Sequence, residues 1–276
     1  MPVPRTAEGK AGLAAIRGDP GRALIATDFD GTLAPIVADP REARAHPGAV
    51  AGLRVLAGVV GTLAVITGRP AEEAVELGGF ESVPGLIVLG HYGLERWEDG
   101  ALTGPGKLPG VEAARGRLPG VLAGAGAPEG VWVEDKGSAV AVHTRRTADP
   151  VGVLAALKEP LAGLAADVGL VVEPGRMVIE LRPAGMDKGA ALTALVAERK
   201  AGAVLFAGDD LGDLAAFAAV RALRGDGHPG VTVGSASGEV SELAAEADLV
   251  VDGPGGVAAL LGWLARALAP SPRPAP

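Results

Sequence analysis

The chain has 276 residues, with 33 acidic against 25 basic side chains for a net charge of −8; 48% of its residues are hydrophobic and only 3% aromatic. Such a chain is globular and long enough to bury a sizeable core, and its length suits one large domain or two smaller ones, with two expected. The acidic balance argues against a nucleic-acid partner, which demands a basic face, and the lack of cysteine excludes disulfides, thiolate catalysis and cysteine-ligated metals.

The first twenty residues lack the apolar centre of a signal peptide, and no stretch has the long uncharged run of a membrane-spanning helix; no membrane contact is expected, and the cytoplasm is the expected location. Apolar, strand-like runs then alternate with helical patterns: a strand at 23–27, a helix at 47–57, a strand at 62–67, a helix at 70–77 and a strand at 85–89. That alternation predicts βαβ units around a parallel sheet. After about residue 99 the pattern changes to a helix at 110–122, strands at 131–135 and 139–144, a helix at 150–166, and strands at 170–173 and 177–181. Short turns at 136–138 and 174–176 predict two hairpins in an antiparallel sheet with helices on one face. The alternation resumes with a helix at 188–199, strand 203–207, helix 211–222, strands 231–233 and 249–251, and a helix at 256–268, while the tail 269–276 reads as a frayed end. The fold class expected is α/β, a Rossmann-like core in two parts, 1–104 and 185–276, interrupted by a smaller α+β insert at 105–184.

Four polar groups punctuate the ends of the core segments. The run ALIATDFDGT delivers Asp28 and Asp30 into a glycine turn after a buried strand, where ligands bind in open α/β sheets. Carboxylates so close repel each other unless a cation lies between them, and Mg²⁺ is held in such places by one or two carboxylates, waters and a substrate phosphate. Thr67-Gly68-Arg69 offers a hydroxyl and exposed amides to phosphate oxygens, although the same residues also read as a helix start. Asp187-Lys188-Gly189 opens a helix, with Asp187 as its cap and Lys188 either solvated or turned to use. Asp209, Asp210 and Asp213 place three carboxylates in five residues after another buried strand, more than a cap requires.

These four motifs, in this order, resemble those of the haloacid dehalogenase superfamily, and the insert between the second and third resembles its type C2 cap. The resemblance implies that Asp28 is the nucleophile, that Asp30 is the general acid and then base, that Thr67, Gly68 and Lys188 hold the phosphoryl group, and that Mg²⁺ is bound by Asp28, Asp209 and the main-chain carbonyl of Asp30, with Asp210 and Asp213 steadying its waters. A narrower resemblance is carried by DFDGTLAPIV, ITGR, GHYGLE at 90–95, VEDKGSAVAVHTR at 133–145 and VIELRPAGMDKGAAL at 178–192. These segments are similar to the trehalose-6-phosphate phosphatase family. It implies a sugar phosphate as the substrate, Lys136, Glu180, His91 and Glu95 as sugar contacts, and a functional association with a trehalose-phosphate synthase. The chain departs from that family at Tyr92, where histidine is usual, at Gly212, where threonine is usual, and at Thr144, where an aromatic residue is common. Another sugar phosphate, transfer to a hydroxyl in place of water, and a silent regulatory partner of the synthase stay open as alternatives. His46, His143 and His228 form no pattern of ligands and read as structural, and Arg145 with Arg146 as a solvated pair.

Overall fold

Strand-length runs of small apolar residues, buried on both faces, build the centre of the molecule, a pattern typical of parallel strands covered by helices. The computed structural model describes residues 3–236 and 241–269, so all but the first residue of the 269–276 tail lies outside the described residues. The chain divides into two compact units, one formed by the segments up to Thr103 and from Asp187 onward, the other by Gly104–Met186.

In the first unit the elements run α1 (Ala7–Gly18), β1 (Ala23–Thr27), α2 (Pro47–Leu56), β2 (Thr62–Ile66), α3 (Ala71–Gly78), β3 (Leu86–Gly90), β4 (Glu95–Glu98) and β5 (Ala101–Thr103). In the second unit follow α4 (Pro109–Gly124), β6 (Trp132–Asp135), β7 (Val140–His143), α5 (Pro150–Asp167), β8 (Val171–Gly175) and β9 (Val178–Arg182). The chain then returns to the first unit with α6 (Lys188–Arg199), β10 (Ala203–Gly208), α7 (Leu214–Gly225), β11 (Gly230–Ser235), α8 (Ser241–Glu246), β12 (Leu249–Val251) and α9 (Gly253–Leu268).

The large sheet has the order β12-β11-β10-β1-β2-β3-β4-β5, parallel from β12 to β3 and antiparallel at β4 and β5. Its two faces carry separate cores. Ile25, Val65 and Leu205 pack under Ile16 of α1, Leu53 of α2, Val75 of α3 and Leu261 of α9, while Leu24, Ile66 and Phe206 pack under Leu192 of α6, Phe217 of α7 and Leu243 of α8. Register fixes the site: Thr27 pairs with Val65 on one side and Ala207 on the other, so the three strands end at nearly one level.

The smaller unit is an antiparallel sheet, β6-β7-β9-β8, with Val140, Val142, Ile179 and Leu181 buried against Leu118 of α4 and Leu161 and Leu164 of α5. Alternation puts Trp132, Glu134, His143, Glu173, Glu180 and Arg182 on its other face.

Four elements went unforeseen, α1, β4, β5 and α8, and several boundaries move. Helix α1 starts from Thr6, whose hydroxyl accepts the Gly9 N–H at 3.0 Å. Strands β4 and β5 form a hairpin through Asp99 and Gly100, both with positive φ (50° and 80°), a turn that Asp-Gly favours. The helix expected at 211 begins at Leu214, after a 3-10 turn over Leu211–Asp213. The turn expected at 174–176 lies two residues on, since Gly175 still pairs with Val178. Among the described residues no helix is long and apolar enough to cross a membrane.

Candidate active site

Two strand ends, those of β1 and β10, deliver the acidic groups. At the tip of β1 the Asp28 N–H donates to Ala207 O (2.8 Å), and the chain then turns sharply, with Leu33 N–H donating to Phe29 O (2.8 Å) and Gly31 N–H to Ala34 O (2.7 Å). The turn rests on Gly31. Its φ is +69°, and a Cβ there would lie 1.8 Å from Asp209 Oδ2, so the Asp209 carboxylate fills the space a side chain would need. The buried Ser235 hydroxyl donates to Gly31 O (2.7 Å) and fixes the turn from β11.

Lys188 opens α6, whose cap Asp187 accepts the Ala190 N–H at 2.8 Å. The lysine is 4% exposed, and its Nζ lies 2.8 Å from Asp28 Oδ1 and 2.7 Å from Asp213 Oδ1. Burial alone would lower the lysine's pKa, but Asp213 and Asp28 more than offset it and keep the ammonium protonated. Burial raises the Asp28 carboxyl well above its ordinary range despite Lys188, and burial, with Asp213 and Asp210 behind it, pushes Asp209 to about 8. Oxygens of Asp28, Asp209 and Asp213 lie within 4.8 Å of one another. One ammonium thus faces three buried carboxylates, and the excess negative charge calls for a second cation.

Asp213 is already committed: besides Lys188, its Oδ2 accepts the N–H groups of Asp209 (2.8 Å) and Asp210 (3.2 Å). Asp28 and Asp209 are left as the oxygen donors at the strand tips, a hard donor set of the kind Mg²⁺ takes. Asp210, by contrast, is exposed.

Thr67 and Gly68 follow β2. Thr67 is 1% exposed, and its Oγ1 accepts the Arg69 N–H at 3.2 Å. Arg69, quoted in the sequence only as part of a motif, is the residue that reading missed. Its guanidinium grips Asp30 at both ends, Nε to Oδ2 at 2.7 Å and Nη2 to Oδ1 at 2.8 Å, and also reaches Glu73 Oε1 (2.5 Å) and Pro40 O (2.9 Å). Four acceptors on one planar fork fix the guanidinium, and through it Asp30.

His91 and Glu95 are turned into the fold. His91 is 1% exposed with Nε2 3.6 Å from Glu95 Oε1, and Glu95 Oε2 accepts the N–H of Ala71, the first residue of α3, at 2.9 Å. In the smaller unit, Lys136 Nζ lies 2.6 Å from Glu180 Oε2 on the polar sheet face. Nearby on that sheet, His143 stacks on Trp132 (centroids 4.0 Å apart) and contacts Glu134 at 2.9 Å, and Arg146 lies over the Trp132 ring at 5.1 Å.

Comparison with known proteins shows the family of the chain. The family model for trehalose-phosphatase matches residues 26–254. A trehalose-phosphate phosphatase of Mycobacterium marinum is 35% identical over 265 residues, covering 90% of this chain and 62% of its own length; the chain thus spans less than two thirds of that relative. A trehalose-6-phosphate phosphatase of Escherichia coli is 31% identical over 72% of this chain and 73% of its own. Among solved structures, the C-terminal domain of a C. albicans trehalose-6-phosphate phosphatase superposes with a TM-score of 0.75 over 96% of this chain and 98% of that one, at 22% identity, a likeness of fold.

Proposed function

The chain belongs to the trehalose-phosphatase family, and on that premise we propose that it hydrolyses trehalose 6-phosphate to trehalose and inorganic phosphate. The observation that carries the proposal is the buried contact of Lys188 with Asp28, 2.8 Å at the tip of β1, beside an Asp30 already held in place. A carboxylate nucleophile splits one difficult displacement into two easier ones.

Asp28 attacks phosphorus, and the bond from phosphorus to the sugar oxygen breaks as Asp30 gives that oxygen a proton. Asp30, now a carboxylate, takes a proton from water; the water oxygen attacks phosphorus, phosphate leaves and Asp28 is restored. Lys188 offsets negative charge on Asp28 and on the phosphoryl group, while the Thr67 hydroxyl and the Gly68 amide hold phosphoryl oxygens. Asp28, Asp209 and the Asp30 carbonyl would hold Mg²⁺, which supplies charge neutralisation when bound. Asp213 acts one step back: it fixes Lys188 and the loop carrying Asp209. Asp210, exposed, keeps the role of steadying metal waters.

A neutral disaccharide has to be read by hydrogen bonds, and a site that matches sugar hydroxyls rejects esters lacking them. Lys136 and Glu180, paired on a polar sheet face, fit that task. His91 and Glu95 enter the proposal as braces of α3 and of the Thr67 loop in place of the sugar contacts expected of them. Such an enzyme needs a source of the phosphorylated disaccharide, so a trehalose-phosphate synthase is the expected functional associate. A silent regulatory role has no support in a site where Asp28, Asp30, Lys188 and Asp209 all stand. Phosphate release from a panel of sugar phosphates in Mg²⁺ tests the proposal: trehalose 6-phosphate should exceed glucose 6-phosphate, sucrose 6-phosphate and glucosyl-glycerate phosphate at least tenfold, and equal rates reject the substrate.

A further inference from the structure

The chain contains a single tyrosine, Tyr92, and it stands beside the Thr67-Gly68 loop. A Cβ built on Gly68 would lie 2.7 Å from the Tyr92 hydroxyl oxygen and 2.8 Å from Cζ, so the phenol occupies the space next to the Gly68 main chain. The backbone is strained to put it there. His91 and Tyr92 have φ of 47° and 59°, a left-handed pair of non-glycine residues ahead of Gly93 at 99°. Each such residue costs roughly 1 kcal/mol or more, and strain of this kind persists only where its surroundings impose it.

Those surroundings are the loop itself and the helix bearing Lys188. The His91 N–H donates to Arg69 O and the Tyr92 N–H to Thr67 O, both at 2.9 Å, so the strained pair is bonded to the two residues flanking Gly68. On its far side Gly93 rests against Ala191 of α6, where a Cβ would come within 2.8 Å of the alanine's own. The segment His91–Gly93 is therefore held between the Thr67 loop and the first turn of α6. The Tyr92 side chain is only partly buried, unlike Thr67 and His91 beside it.

Building on the phosphatase reading, we propose that the Tyr92 hydroxyl is a phosphate-binding group of this site, donating a hydrogen bond to a phosphoryl oxygen held beside the Gly68 amide. A phenol is a neutral donor on a rigid ring with only two side-chain torsions to fix, so it adds a contact to the oxyanion without adding charge to a site that already holds a lysine and an arginine. An aromatic ring alone would fill the space as well, and only the hydroxyl distinguishes tyrosine from phenylalanine.

The test is the affinity of the Mg²⁺-loaded protein for inorganic phosphate, measured by calorimetric titration and as competitive inhibition of turnover, in wild type, Tyr92→Phe and Tyr92→His. Tyr92→Phe should bind phosphate about tenfold more weakly, the size of one lost hydrogen bond to a charged group, with an unchanged melting temperature. Tyr92→His, which returns a donor to the position, should recover most of the loss. Phosphate binding by Tyr92→Phe within twofold of wild type overturns the inference, as does a Tyr92→His variant no better than Tyr92→Phe. The two readings fail separately: a wild type that binds phosphate through Tyr92 but ignores trehalose 6-phosphate contradicts the substrate alone, whereas one that hydrolyses trehalose 6-phosphate with phosphate affinity independent of the hydroxyl contradicts the role of Tyr92 alone.

Discussion

Lys188 and Asp28 meet at 2.8 Å although 160 residues separate them, and each is at most 4% exposed. The ammonium contacts the proposed nucleophile directly, and Asp213 holds its other side at 2.7 Å. Lys188→Ala should lower kcat by about 10²–10³-fold, the range for removing one preorganised group that stabilises developing charge. Steady-state kinetics on trehalose 6-phosphate measures it, and kcat within threefold of wild type contradicts the role.

The grip of Arg69 on Asp30 predicts a positioning effect. Arg69→Ala should reduce kcat about 10–100-fold, because the acid is no longer held by two bonds and small misplacements cost that much. Arg69→Lys, which keeps the charge but cannot bond both oxygens, should recover only part. Full recovery by lysine would mean that charge alone matters.

Gly31 leaves no space for a side chain. Gly31→Ala would push its methyl into Asp209, 1.8 Å from Oδ2, at a φ of +69° that alanine resists. The variant should keep its secondary structure by circular dichroism yet bind Mg²⁺ at least about tenfold more weakly, since Asp209 must move. Wild-type Mg²⁺ affinity in a folded Gly31→Ala protein would remove Asp209 from the metal site.

The acidic cluster also sets a pH dependence. With burial pushing Asp209 to about 8, the folded metal-free protein holds a proton that the unfolded chain releases near pH 4, so its stability falls as pH rises between these values. Mg²⁺ displaces that proton and should therefore raise the melting temperature more at pH 8 than at pH 6. Asp209→Asn should flatten both trends. An equal Mg²⁺ shift at the two pH values contradicts the assignment.

Away from the site, Asp248 links α1, α7 and β11. It is 2% exposed and accepts from the Thr6 hydroxyl, the Arg224 guanidinium, the Thr232 N–H (2.8 Å) and the Thr232 hydroxyl (3.0 Å). Burial would raise its pKa, but these donors outweigh burial and hold it below the ordinary value. Its stabilisation is present above about pH 4 and is lost as pH falls through the lower folded value. Asp248→Ala should cost about 3 kcal/mol at pH 7, because a mostly buried arginine loses its partner. Urea unfolding at pH 7 and pH 3 checks both size and direction.

What could be read from the sequence follows burial. The strands ending at Asp28, Thr67 and Asp209 were legible because both their faces are buried and their residues are uniformly apolar. Strand β4, Glu95-Arg96-Trp97-Glu98, was not: its charges pair with Glu198 and Arg199 of α6, a compensation visible only in three dimensions. The acids were legible as a group, but not their division of labour. Asp213 differs from Asp209 only because Lys188 and two amides claim it. Arg69 and Asp30 lie 39 residues apart, and no local pattern announces a two-point contact at that distance.

The central claim is that the Asp28 carboxylate takes the phosphoryl group. Turnover of trehalose 6-phosphate by Asp28→Asn, in saturating Mg²⁺ and with wild-type melting confirmed, tests it most directly. The account predicts a loss of about 10⁴-fold or more, as for removal of a catalytic nucleophile; turnover within tenfold of wild type would contradict it.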